Sequence, residues 1–227
     1  LNPLQPWVNE FDVTTSLLYD PLARYYDGSV RPWLAESWSV DGDELTVRLR
    51  DGLRWHDGRR LTAADVRITY RFLTDTALGS AETRYPAPRF QGRASVVDEI
   101  DVVGDRSVRL TVDAARPAAE RALTVPLLPR HVWESRTDVV DANAGLTQAI
   151  TANNRSPVGC GPMAVESRTA DRSLELTRHA SHPLNRDDDS ALARRFGPLA
   201  FSTLEFVVTP SDLTELTHLQ DGDADVT

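Results

Sequence analysis

The sequence predicts an α/β protein, and three observations carry the prediction. They are a strand, turn and capped helix between residues 45 and 73, an apolar strand and second capped helix between 204 and 222, and a Gly/Pro-rich joint between 156 and 162. In the first unit, Leu45, Val47 and Leu49 alternate with Thr46, Arg48 and Arg50, so one face of an extended strand is apolar and the other wet. Asp57-Gly58 supplies a turn able to take positive φ. Thr62 then caps a helix in which Asp65 reaches back to the cap's own amide, with Val66, Tyr70 and Leu73 at helical spacing behind it. In the second unit, Leu204 to Val208 form the strand, Thr209 caps the helix, Pro210 takes its first position and Asp212 closes the box. Leu213, Leu216 and Leu219 share one side of that helix, and Gly222 ends it in left-handed geometry.

The other elements follow from the same signals. Asp12 to Leu22 is expected as a short helix after a strand entry, and a Trp-bearing turn precedes the strand at 45. Ile100 to Val103 and Val108 to Val112 are expected as strands joined at Gly104-Asp105. Two helices should follow, one near Ala118 to Leu123 and one opened by Pro129 at its first position. A further strand is expected over Ser173 to Thr177, and there is no internal repeat or low-complexity linker.

With 41% apolar and 26% charged residues, the chain has the composition of packed cores. No run approaches the roughly 18 to 20 apolar residues that cross a bilayer, and LNPLQPWVNE lacks the basic and apolar regions of a signal peptide. One cysteine allows no internal disulfide, so redox compartment is left open. A net charge of −9 opposes non-specific nucleic-acid binding, which depends on neutralising phosphates. All 25 basic residues are arginine, as expected of a high-GC genome or of a halophile whose acidic surface carries few lysines. Asp187 to Asp189 are expected in a solvated loop.

Catalytic constellations are poor. His179 and His182 stand three apart, but Ser181 and Pro183 make the stretch loop-like and no nearby Cys or Glu completes a metal-ligand set. His56 precedes Asp57 in a turn and is expected to make surface hydrogen bonds. No G-x-S-x-G elbow, P-loop or H-E-x-x-H is present, so neither catalytic residues, a metal nor a cofactor is expected. Gly159-Cys160-Gly161-Pro162 is the strongest backbone signal after the opening block, since two glycines around a small residue allow close chain approach.

Pro32, Leu34, Ala35, Glu36 and Trp38, followed by Leu49, Arg50, Gly52, His56, Asp57, Gly58, Leu61, Thr62, Ala63, Asp65 and Val66, form an ordered motif. With LNPL at 1–4, YDPL at 19–22, LPRHVWE at 128–134, VGCGPM at 158–163 and LQDGDADV at 219–226, it resembles the family 5 extracellular solute-binding proteins, the peptide- and nickel-binding receptors of ABC importers. Cys160 and Met163 depart from the family's usual Thr and Tyr. The resemblance implies a periplasmic-binding-protein type II fold. It assigns residues 1–25 to the opening of a first lobe, 26–155 to an inserted small α/β subdomain and 156–227 to the return to the first lobe, with the second lobe absent.

It also implies a monomeric binding component, extracellular or periplasmic, that hands a peptide or other small solute to permease subunits. Membrane attachment would be through the permease or through a lipid anchor outside these residues. Half a clamshell predicts weak affinity. For ligand contact the resemblance points to Trp7, Asn9, Glu10 and Phe11, then to Arg84 and Tyr85, and to Gly159, Cys160 and Gly161 at the joint. The rival readings are a hydrolase using loop His or Asp residues, and a receptor-like or structural module without transport.

Overall fold

Antiparallel pairing organises the computed structural model, which describes residues 12–74, 88–113, 115–134, 155–186, 191–222 and 224–225. The first part runs α1 (Asp12–Leu18), β1 (Ala23–Tyr26), β2 (Ser29–Pro32), β3 (Ala35–Asp41), β4 (Glu44–Leu49) and α2 (Ala63–Thr74). Then come α3 (Pro88–Ala94), β5 (Val97–Gly104), β6 (Ser107–Val112), α4 (Arg116–Ala122) and α5 (Arg130–Trp133). The last part holds β7 (Met163–Thr169), β8 (Ser173–Arg178), α6 (Ala191–Phe196), β9 (Thr203–Val207) and α7 (Asp212–Asp221).

The strands form three sheets: the hairpin β1-β2, a four-stranded sheet in the order β3-β4-β6-β5, and a three-stranded sheet β7-β8-β9. Register explains why the four-stranded sheet builds the main core. Leu45 lies opposite Leu110 and Val47 opposite Val108, so the alternation of both strands delivers their apolar residues to one buried face. Helix α2 covers that face with Val66, Tyr70 and Leu73, and Trp55, Phe72 and Trp133 fill the space around it. Each such side chain contributes about 1.5–3 kcal/mol by leaving water. A second, smaller core joins Leu18 and Tyr19 at the end of α1 to Met163 and Leu176 of the three-stranded sheet.

The start of α2 shows one arm of the expected capping box. The Asp65 carboxylate accepts from the Thr62 amide at 2.8 Å and from its hydroxyl at 3.1 Å. Its other oxygen accepts from the Arg130 amide at 2.8 Å, so one buried carboxylate ties α2 to the first turn of α5.

Several boundaries differ from the sequence expectations. Helix α1 stops at Leu18 because its last bond runs from Tyr19 N–H to the Thr15 carbonyl, after which Pro21 bridges to Pro126. Trp38 lies on strand β3, where its indole N–H donates to Glu120 at 3.2 Å. Pro129 is the N-cap of α5, one position earlier than expected, and α4 begins at Arg116 with Pro117 in its first turn. The cap of α7 is Ser211, whose Oγ accepts from Thr214 N–H at 3.3 Å. Thr209 points its hydroxyl at Glu215 instead, and Pro210 stays outside the helix. Gly222 does end α7 in left-handed geometry, at φ 78°.

Candidate functional site

Two adjoining structures carry the chemistry: a polar joint beneath the end of α1 and an open cavity beside it. In the joint, Gly159 and Gly161 press against the last turn of α1. A Cβ on Gly159 would lie 1.9 Å from the Leu18 carbonyl oxygen, and one on Gly161 would lie 2.2 Å from that of Leu17. Only glycine fits there, and the approach lets Gly161 N–H donate to the Leu18 carbonyl at 2.9 Å.

Three histidines close around this crossing. His56 Nδ1 accepts from Gly159 N–H at 3.2 Å, which places its proton on Nε2 for donation to the Gly161 carbonyl at 3.1 Å. The His56 amide also donates to the Gly159 carbonyl at 2.8 Å, so His56 is a clamp rather than the surface group expected from its turn. Burial, reinforced by the neighbouring His179 ring 4.9 Å away, holds the His56 pKa down to about 3. His179 Nδ1 lies 3.2 Å from the same Gly161 carbonyl, and burial lowers its pKa as well.

His182 Nδ1 accepts from Leu184 N–H at 3.1 Å, leaving Nε2–H to donate to Asp20 at 2.6 Å. Asp20 is fully buried and also meets Arg24 at 2.5 Å. Burial alone would raise its pKa, but Arg24 and His182 outweigh burial and hold the carboxyl below the usual range. The Asp20 carbonyl accepts from Leu127 N–H at 3.0 Å and lies 3.7 Å from the Cys160 sulfur. Burial pushes the Cys160 thiol pKa well up, so the sulfur packs as an apolar filler. Both ring nitrogens of His56 and of His182 are thus committed to structural bonds. Among the described residues no three His, Cys, Asp or Glu side chains gather in a metal-binding group.

The cavity, about 710 Å³, opens where α1 and β1 meet α3 and α4. Its floor includes Thr15, Ser16 and Tyr19, and its walls include Tyr25, Phe90, Val96 and Ala118 with Arg24, Arg93 and Arg121. Arg24 reaches across the Trp33 ring at 4.3 Å, and Arg121 stands 5.9 Å from the centre of the Tyr25 ring. This size and mixture of apolar surface with a few charged groups suit a small organic ligand.

The structure brings Gly159, Cys160 and Gly161 together at the joint, outside the described walls of the cavity. Trp7, Asn9, Glu10, Phe11, Arg84 and Tyr85 lie outside the described residues. Arg24, Asp20, Arg93 and Arg121 were not anticipated. Asp20 stood in the YDPL block as an ordinary acidic residue, and its burial depends on His182, far along the chain.

Comparison with known proteins gives a consistent picture. The profile of the bacterial extracellular solute-binding proteins, family 5, matches residues 29–227. The nickel-binding periplasmic protein of Escherichia coli (strain K12) is 22% identical over 214 residues, covering 93% of this chain and 36% of the relative. The di/tripeptide-binding protein 2 of Pseudomonas aeruginosa (strain UCBPP-PA14) is 26% identical over 186 residues, 76% of this chain and 34% of the relative.

Among solved structures, a periplasmic oligopeptide-binding protein of Thermotoga maritima superposes with a TM-score of 0.70 at 27% identity, covering 99% of this chain and 38% of that one. NikZ of Campylobacter jejuni, solved with Ni(L-His), gives 0.74 at 20% identity, covering 99% of this chain and 40% of that one. The fold is therefore that of the type II periplasmic binding proteins, and the chain spans little more than a third of the length of these relatives.

Proposed function

We propose that this chain, which belongs to the bacterial extracellular solute-binding proteins of family 5, captures a peptide or similarly sized solute outside the cytoplasmic membrane and presents it to the permease of an ABC importer. The observation that carries this reading is the open cavity of about 710 Å³, walled by aromatic rings and guanidinium groups at the meeting of α1–β1 with α3–α4. Relatives named for binding peptides and nickel support a binding role over a catalytic one.

The same reading divides the chain into a first-lobe opening, residues 1–25, an inserted subdomain, 26–155, and a return, 156–227. It is supported by the packing of Leu18 and Tyr19 with Met163 and Leu176, apart from the larger core that holds residues from Leu22 to Trp133, although Cys160, Leu184 and Leu192 of the return also join that larger core. Ligand contacts that favour a closed over an open arrangement of lobes would then report occupancy to the transporter. The protein acts as a monomer, periplasmic or extracellular, and among the described residues no helix is long and apolar enough to cross a membrane.

Calorimetric titration with di- to nonapeptides tests the reading. Saturable binding that falls at least about tenfold in the Tyr25→Ala/Phe90→Ala variant is expected. Binding untouched by those changes would reject the cavity as the site, and turnover of a peptide would reject the receptor role.

A further inference from the structure

Away from the cavity, around the turn that follows β4, two small hollows of about 110 and 260 Å³ share Arg50, Asp51 and Arg106 in their walls. Together they are lined by six arginines and three acidic residues, the reverse of a chain in which acidic residues outnumber basic ones 34 to 25. Strand pairing assembles the centre of this cluster. Leu49 N–H donates to the Arg106 carbonyl at 2.8 Å, which sets Arg106 beside the exit of β4, where Arg50 follows. From the return segment Arg186 crosses to the same turn and donates to the carbonyls of Asp51, at 3.2 Å, and Gly52. Gly52 leaves the room for it, since a Cβ there would stand 2.9 Å from the Arg186 guanidinium.

Arg50 sets the cluster apart from a solvated charged face. It is half-buried, its Nε donates to the Trp33 carbonyl at 2.6 Å, and among the described residues it forms no ion pair. Glu36, the carboxylate that acts on it, is bonded to Arg48 at 3.1 Å. Burial lowers the Arg50 pKa more than the attraction of Glu36 restores it, so this cation has given up water without gaining a carboxylate of its own. Arg106 meets Asp51 at 3.5 Å, but the Asp51 side chain is 89% exposed. A pair so exposed is worth little in water, and an incoming anion can displace its carboxylate. A cationic or neutral ligand would leave Arg50 uncompensated, whereas a small dianion answers Arg50 and Arg106 together.

We propose that these hollows form a second binding site, which takes a small dianionic oxyanion of the phosphate or sulfate type at Arg50 and Arg106. Arg48, Arg186 and Pro183 complete the surrounding wall, so the ion ties the return segment to the turn after β4. The test titrates the chain with inorganic phosphate, sulfate and acetate at constant ionic strength and follows the arginine Nε–Hε signals by NMR. Phosphate and sulfate should shift the Arg50 and Arg106 signals saturably and bind at least about tenfold more tightly than acetate. Arg106→Gln should weaken phosphate by about the same factor. Asp51→Asn should tighten it, because the amide oxygen still accepts from Gly52 N–H while the competing charge is gone. Arg67→Gln, on the exposed side of α2, should change nothing.

Acetate binding as tightly as phosphate, shifts that grow with concentration without saturating, or a phosphate affinity indifferent to both Arg106→Gln and Asp51→Asn overturns the site. Each of these results leaves the solute cavity untouched, since Arg50 and Arg106 are not among its walls and its own test is the peptide titration.

Discussion

The two larger sheets of this protein are both antiparallel, and they are buried to very different degrees. In the four-stranded sheet, β4 and β6 alternate strictly, with Leu45, Val47, Leu49, Val108 and Leu110 wholly shielded from solvent. In the three-stranded sheet the corresponding apolar residues are mostly half-exposed, only Met163 and Leu176 reach full burial, and Val207 at the end of β9 is 57% exposed. Backbone pairing is similar in the two, so the difference lies in what covers them. Helix α2 and the tryptophans roof the first sheet, whereas the second is anchored through the last turn of α1 and the glycine joint. One region is stabilised by its own core and the other by its attachment.

The sharpest way to break that contrast is at the attachment. Gly161→Ala would drive a Cβ to 2.2 Å from the Leu17 carbonyl oxygen and 2.7 Å from the Leu18 carbonyl carbon, both of them backbone. Neither can swing aside as a side chain would, so the joint must separate and lose the bonds of Gly161 to Leu18 and His56. A destabilisation above about 4 kcal/mol is expected, or failure to fold, measured by urea denaturation. Amide exchange in a surviving population should then rise first in β7 and β8 and last in β4 and β6.

Truncation within each core sharpens the contrast further. Leu110→Ala removes a side chain enclosed on every side and should cost about 3–5 kcal/mol. Leu176→Ala deletes the same group from a core of four buried residues, where relaxation is easier, and should cost nearer 2 kcal/mol. Val207→Thr should stay within about 0.5 kcal/mol, because its side chain already faces solvent. Equal costs for Leu110 and Leu176 would show that the second sheet is as tightly enclosed as the first.

The same division decides what was legible in the sequence. Leu45, Val47 and Leu49 announce β4 because a strand with one covered face must alternate, and Thr62 with Asp65 marks the start of α2 because the cap is local chemistry. Strands β1, β2, β3 and β7 carry weak alternation, since their residues are partly exposed on both faces, and they were not anticipated. The glycine pair signalled a close approach without revealing its partner, because Leu17 and Leu18 lie about 140 residues earlier. The cavity was harder still. Arg24, Arg93 and Arg121 come from three separate elements and look like ordinary surface arginines in a chain with 25 basic residues.

Acid should loosen the joint before it touches the main core. His56 has a folded pKa of about 3, below the roughly 6.5 of an unfolded histidine, so on acidification the unfolded chain gains a proton that the folded chain refuses. Stability is therefore full above about pH 6.5 and falls as pH drops from there towards 3, by roughly 2 kcal/mol between pH 7 and pH 5 for a group so buried. His179, also lowered, adds to the same slope in the same direction. His56→Asn keeps an acceptor for Gly159 N–H and removes the titration, so its stability should vary less with pH than that of the parent even if it is lower at neutrality. Urea melts of both proteins across pH 5 to 8 measure the difference. Parallel curves for parent and variant would place the acid sensitivity elsewhere and remove His56 as the group through which protons reach the weaker of the two regions.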